Sequence, residues 1–180
     1  MYCVKNLNVL FYIIRNIRET VSVGVLRVLY FGIVHSHLQY GLLLWGSSAH
    51  MRKAFQCQKK ILRCMDKARA RSSCKPLFRK YEILTLPSMY IFQLIMYIKD
   101  NYQQYDKNSD IHKYNTRNHL NLHLPFCRLG ISQNSPVYMG IKCFNKIRTL
   151  IDNGNRNVFQ SKLKSYLKKM FYLVDDFLNS

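Results

Sequence analysis

Apolar residues recur along this chain at intervals of three and four, the spacing that lines one side of a helix, and hardly anywhere in the alternation of a strand. The apolar stretch from Met1 to Ile14 is broken by Lys5, Asn6 and Asn8 and followed by Arg15. It lacks a small-residue cleavage site and reads as a helix. From Thr20, a candidate N-cap, Val25, Leu29, Phe31, Ile33, Leu38 and Leu42 keep near-helical spacing until Trp45-Gly46-Ser47-Ser48. Ser47 or Ser48 opens a second helix predicted through about Ala70, with Met51, Phe55, Leu62 and Met65 on its apolar side. Ser72 or Ser73 opens a short third helix through Leu77, Phe78 and Tyr81. Leu86-Pro87-Ser88 then starts a fourth, because proline suits the first helical turn, and Tyr90, Leu94, Tyr97 and Ile98 stripe it to about Asn101.

Residues 102–135 read differently. Asn, Asp, Ser, His and Gln dominate, Pro125 and Gly130 punctuate, and only Leu120 to Leu124 alternates as a short strand does. Helical spacing resumes at Ser135-Pro136 through Tyr138, Ile141, Phe144 and Ile147, with Asn153-Gly154 as a stop. Asn157 is the expected cap of a last helix carrying Phe159, Leu163, Leu167, Met170 and Val174 on one face, with Lys164, Lys168 and Lys169 away from it. The predicted fold class is mainly α: a helical packet over 1–101, an extended polar arm or linker over 102–135, and a C-terminal helical pair over 136–180.

Composition adds what periodicity omits. With 180 residues, 48% of them hydrophobic, ten Phe, thirteen Tyr and one Trp, the chain can build a core. Its 28 Lys and Arg against 9 Asp and Glu give a net charge of +19, a self-repulsion that a polyanion relieves, so an acidic partner is expected. Six cysteines, at 3, 57, 64, 74, 127 and 143, form no CxxC pair and fit a reducing, intracellular setting, nuclear or cytoplasmic. The longest apolar run, Val21 to Trp45, carries Arg27, His35, His37 and Gln39, whose insertion into a bilayer costs about 2–3 kcal/mol per charged group, so it reads as a packed helix and turn.

The strongest local signal is basic. Between Arg52 and Lys80 stand eleven Lys and Arg and a single acid, Asp66. At about 100° per residue, Arg52, Lys59, Arg63 and Lys67 fall within an arc of about 80° opposite the apolar side of the second helix. A charge run is usually a solvated face, but this one lacks the acids that would form i,i+4 pairs, which favours a phosphate-contacting surface. Lys60, Arg69, Arg71 and Lys75 are further candidates whose direction depends on where the helix ends. Sequence-specific base readout is not indicated, since its motifs are absent.

Other constellations are weaker. The adjacent Asp175 and Asp176 point in different directions on a helix and read as solvated acids. His119, His123 and Cys127 have the four-residue spacing of some zinc sites, but Pro125 interrupts the helix that would align them. His35 and His37 diverge on a helix, and Cys57 and Cys64 serve as small apolar residues. No catalytic residue, metal site or cofactor is expected.

The segment Tyr30-Phe31-Gly32-Ile33-Val34-His35-Ser36-His37-Leu38-Gln39-Tyr40-Gly41-Leu42-Leu43-Leu44-Trp45-Gly46 resembles the region downstream of the polymerase core in reverse transcriptases of non-LTR retrotransposons, the jockey-like group of arthropods in particular. Further similar stretches occur in the same order along the chain. They are Gln58-Lys59-Lys60 with Ile61 and Arg63, Cys74-Lys75-Pro76-Leu77-Phe78, Ile83-Leu84-Thr85-Leu86-Pro87-Ser88, Tyr114-Asn115-Thr116-Arg117, and Ser135-Pro136-Val137-Tyr138-Met139-Gly140-Ile141-Lys142.

The resemblance implies thumb-like helices and a C-terminal region that grip template and primer in an RNA-directed DNA polymerase. In that family the metal-binding aspartates of the palm lie upstream of the matched region, so none is carried over and no polymerase activity is expected of this chain alone, because two-metal phosphoryl transfer needs such carboxylates. The implied partners are RNA or an RNA–DNA hybrid, met through phosphates, and the palm of a related polymerase, against which an apolar docking surface is expected. Two competing readings are a peripheral protein using basic amphipathic helices at an anionic membrane, and a decayed copy without selected function. The apolar sides suit packing on each other better than insertion into lipid.

Overall fold

The computed structural model describes residues 2–111, 117–148, 155–168 and 171–179, with side chains from Lys5 onward. The fold is mainly α, and no strand occurs among the described residues. The Tyr114 to Thr116 part of one motif, the Asn153-Gly154 stop, Lys169 and Met170 lie outside them.

At the centre lies a helix buried nearly all round. Leu86–Asp100, which becomes α7 in chain order, hides Leu86, Met89, Tyr90, Ile91, Leu94, Ile95, Met96 and Ile98. A helix apolar on every side is stable only inside a core. Thr85 caps it: its hydroxyl accepts from the Ser88 N–H at 3.2 Å and donates to the Phe171 carbonyl at 2.6 Å. Of the expected stripe, Tyr90, Leu94 and Ile98 are buried, whereas Tyr97 is exposed.

Around it, in chain order, stand α1 (Tyr2–Ile17), α2 (Val23–Leu29), α3 (Ser36–Gln39), α4 (Leu42–Trp45), α5 (His50–Met65) and α6 (Lys75–Lys80). After α7 come α8 (Asn108–Ile111), α9 (Gly130–Gln133), α10 (Pro136–Ile147), α11 (Arg156–Leu167) and α12 (Val174–Leu178). Helix α10 crosses α7 where Gly140 lies: a Cβ there would stand 2.7 Å from Ile98 Cγ1. Helix α1 packs on α5. Buried residues from Leu7 to Phe177 join in one hydrophobic cluster, so α10 to α12 share the core of the first hundred residues.

The helix expected from Thr20 begins instead at Ser22, whose hydroxyl accepts from the Val25 N–H at 3.4 Å. Its buried row is Leu26, Tyr30, Val34 and Leu38, while Val25 is exposed. The reason is a π-helical turn over Tyr30–His35 joining α2 to α3. In a regular α-helix a row spaced by four drifts about 120° over those three steps. The wider turn advances less per residue and keeps all four inward.

Gly41, at φ +61°, ends this rod and starts α4. Gly46 then lies under the Tyr90 ring so closely that a Cβ would meet Cδ2 at 2.3 Å.

The buried side chain of Gln58 ties three elements together. Its Nε2 donates to Tyr30 Oη at 2.8 Å and to the Leu84 carbonyl at 3.0 Å, and its Oε1 accepts from the Leu86 N–H at 2.9 Å. A buried amide so satisfied escapes the desolvation penalty that an unpaired one carries.

Five further expected boundaries are corrected, the first being the start of α5, which opens at His50 after Ala49 without a serine cap. Helix α5 stops at Met65 rather than near Ala70, because Lys67 takes a left-handed conformation at φ 55°. The Ala68 N–H then reaches the Arg63 carbonyl and the Lys67 N–H the Cys64 carbonyl, a Schellman closure built without glycine. Helix α6 starts at Lys75, after Cys74, not at a serine. Asn155, not Asn157, caps α11. Val174 belongs to the separate α12, since α11 ends at Leu167. The start of α10 agrees with expectation, with Ser135 accepting from the Tyr138 N–H.

The polar arm is tied down in its described parts. Lys107 and Leu122 form a single antiparallel bridge rather than a strand. Asn145 of α10 grips Leu122, accepting from its N–H and donating to its carbonyl, both at 2.9 Å.

Candidate nucleic-acid interface

Helix α5 buries Ala54, Phe55, Gln58, Ile61, Leu62 and Met65, a spacing that turns its cations outward. The outward ridge lies between α1 on one side and the segment before α12 on the other, and the structure divides the expected basic face between them.

Toward α1, a groove of about 390 Å³ is lined by Arg15, Arg18, Lys60 and Arg63 over Phe11, Cys64, Ala68 and Ala70. The Lys60 ammonium lies 4.6 Å from the Phe11 ring centre. Arg18 donates from Nη1 to the Cys64 carbonyl at 3.3 Å. Its Nε stands 3.3 Å from the Glu19 carboxylate but makes no hydrogen bond, the geometry being poor for donation, and the contact is electrostatic only. Arg63 donates from Nε to the Ser72 carbonyl at 2.9 Å, which fixes its guanidinium at the groove edge. Among the described residues, Arg15, Lys60 and Arg63 have no carboxylate within ion-pair distance.

Toward the C-terminal segment, a second group of cations surrounds Tyr172. Its ring stacks edge-on against Phe55 at 5.4 Å between centres, and the ammonium groups of Lys59 and Lys75 lie 6.0 and 5.6 Å from it. Burial pushes the Tyr172 phenol up from its ordinary range. Arg52 lines a crevice of about 540 Å³ beside Tyr172, along with Asn134 and Asp175.

Lys67 lies beyond the helix and its ammonium pairs with Glu19, whose carboxyl is held below its ordinary range chiefly by that hydrogen bond. Lys80 pairs with Asp66, which also accepts from the Tyr81 hydroxyl at 3.1 Å. Burial, together with that bond, pushes the Tyr81 phenol up to about 12. The acids missing from i,i+4 positions are thus replaced, for these two cations, by acids reached through the fold. Arg69 and Arg71 are exposed on the loop between α5 and α6. Of the eight expected contacts, Lys60 and Arg63 meet in the groove, Arg52, Lys59 and Lys75 gather at Tyr172, and Lys67 is held by an acid. Arg15, Arg18 and Tyr172 were not expected, and no local spacing connects them to α5.

The alternative zinc set is dispersed into other contacts. His123 Nδ1 lies 3.3 Å from Asn108 Oδ1, and the Cys127 carbonyl accepts from Gln133. Among the described residues no three His, Cys, Asp or Glu stand close enough to hold a metal ion. Asp176 accepts from the Tyr172 and Leu173 N–H groups at the start of α12. Cys57, Cys64, Cys74, Cys127 and Cys143 are free thiols, and burial raises Cys143 to about 12. Among the described residues no helix is long and apolar enough to cross a membrane.

No protein family, curated protein or solved structure matches the chain.

Proposed function

We propose that the chain grips the phosphates of RNA or an RNA–DNA hybrid, as a thumb-like segment of a non-LTR, jockey-like reverse transcriptase whose phosphoryl-transfer chemistry belongs to a partner palm. The observation that supports this reading is the groove between α1 and α5. Three of its four cations have no carboxylate among the described residues to neutralise them, and its floor is apolar. A low-dielectric floor under unpaired charges focuses the field toward an incoming anion. The groove offers guanidinium groups and an ammonium to phosphate oxygens and no arrangement for reading base edges.

A second observation fits the partner palm. Val9, Tyr12 and Ile13 of α1 and Val23, Val25 and Val28 of α2 are exposed apolar side chains of the kind a docked partner covers. The same surface would serve the anionic-membrane reading, which vesicle binding tests directly.

The experiment is the affinity of the full chain for a blunt RNA–DNA hybrid at two salt concentrations. Log K is expected to fall linearly with log salt, and Arg15→Gln with Lys60→Gln to flatten that slope by about 0.7–0.9 per contact removed. Absence of binding at low salt would overturn the proposal, as would a slope unchanged in the variant.

A further inference from the structure

We propose that the loop running from Leu124 into α9 is a wedge that stacks on unpaired bases where a duplex opens into single strand. The inference rests on the nucleic-acid reading above and assigns a role to residues that the phosphate groove does not use.

Phe126, Leu129 and Ile131 are 86, 70 and 88% exposed, three large apolar side chains within six residues. Such a tip is unfavourable in water and becomes favourable once covered. Both sides of it are anchored. Upstream, Leu122 is buried and its N–H and carbonyl are both held by Asn145. Downstream, Gln133 Nε2 donates to the Cys127 carbonyl at 2.8 Å, which closes the loop upon itself, and α10 begins three residues later. A tip mounted in this way keeps its shape when pressed against a partner, which lowers the ordering cost of binding.

Charge selects the occupant. Residues 111–151 contain no Asp or Glu, and the Arg128 guanidinium lies 5.8 Å from the centre of the Phe126 ring. An exposed aromatic ring beside an arginine, in a stretch free of acids, is the combination that stacks bases while neutralising their phosphates. Apolar side chains inserted at base steps act in the same sense, holding strands apart. The position also fits, because Asn134, just after α9, lines one crevice with Arg52 of α5. A strand lying along the α5 cations would therefore pass beside the base of this loop, with Asp175 the one acid lining that crevice.

The test uses the full chain and two hybrids, one blunt and one with a single-stranded overhang carrying 2-aminopurine at the junction. Wild type should prefer the overhang hybrid and raise the 2-aminopurine fluorescence. Phe126→Ser with Ile131→Ser, both at exposed positions, should keep the thermal melt and the blunt-hybrid affinity. The overhang preference should drop by about fivefold or more, the loss of one base stack, and the fluorescence change should vanish. Wild-type binding to the blunt hybrid with no junction signal, or a signal equal in the variant, overturns the wedge and leaves the groove standing. Absence of binding to either hybrid overturns both. Binding to phosphatidylserine vesicles that the variant loses, with hybrid signals unchanged, assigns the tip to a membrane instead.

Discussion

Helices α5 and α7 have 16 and 15 residues and lie in contact, yet they divide the work of the protein. Helix α7 carries charge only at its end, in Lys99 and Asp100, and is covered by α5, α10, α11 and α12. Helix α5 carries five Lys and Arg and no acid, and half its circumference is open. The same helical geometry thus yields a scaffold where apolar residues encircle the axis and an interface where they occupy one side. Burial energy holds the first. The second rides on it, and its unpaired cations contribute little to stability, since even paired surface charges are worth only about 0–1 kcal/mol.

Truncation in α7 should have the largest effect. Leu94→Ala, at a fully buried position, is expected to cost about 2–5 kcal/mol of unfolding free energy in a denaturant titration, and a cost below about 1 kcal/mol would show that α7 is not the scaffold. Next comes the link between the helices. Gln58→Leu strips partners from Tyr30 Oη, the Leu84 carbonyl and the Leu86 N–H, with an expected cost of about 1–3 kcal/mol and no change in the salt dependence of hybrid binding.

Arg52→Gln with Lys53→Gln, on the open side of α5, should invert that result. Stability should stay within about 0.5 kcal/mol while the salt slope flattens; a large loss of stability would erase the distinction between the two helices.

The smallest effect is expected at the end of α7, where Asp100 accepts from Arg156 Nε at 2.7 Å and Nη2 at 2.8 Å. The arginine holds the carboxyl below its ordinary 3.8. A carboxyl lowered in the folded state adds stability above that ordinary value and loses it as pH falls through the folded one. The Asp100 share of the acid limb of a stability-against-pH curve should therefore be lost from about pH 3.8 downward, and the limb should be shallower below that pH in Asp100→Asn. An identical limb would show that this pair contributes nothing to stability.

Much of the helical order was legible because periodicity and caps are local. Helix α10 announced itself through Ser135-Pro136, and α7 through Pro87 and its apolar stripe. The end of α5 was not legible. Helix stops are read from glycine or proline, and here the left-handed position is occupied by Lys67, at a conformational cost of about 1–2 kcal/mol that its surroundings offset. Glu82, at φ 54°, closes α6 in the same manner. The candidate interface was legible as a basic helix and illegible as a groove. Arg15 and Arg18 reach Lys60 and Arg63 only through the α1–α5 contact, and Tyr172 meets Phe55 across more than a hundred residues. Tertiary contacts of that span leave no trace in spacing.

The π turn at Tyr30–His35 carries a consequence for how this segment tolerates change. A single extra residue is accommodated there as a wider turn. Loss of one codon within it would leave Leu26 and Leu38 eleven residues apart, three turns of a regular α-helix and about 20° more, so Leu38 would stay in the core. A further extra codon would instead rotate the downstream half of the rod by about 100°, swinging Leu38 outward and sending the Gly41 corner, α4 and the Gly46 contact with Tyr90 in a different direction. Substitutions on the outer side of the rod, at Gly32 or Ser36, should be absorbed, and so should a one-residue deletion within the turn. A one-residue insertion there should not.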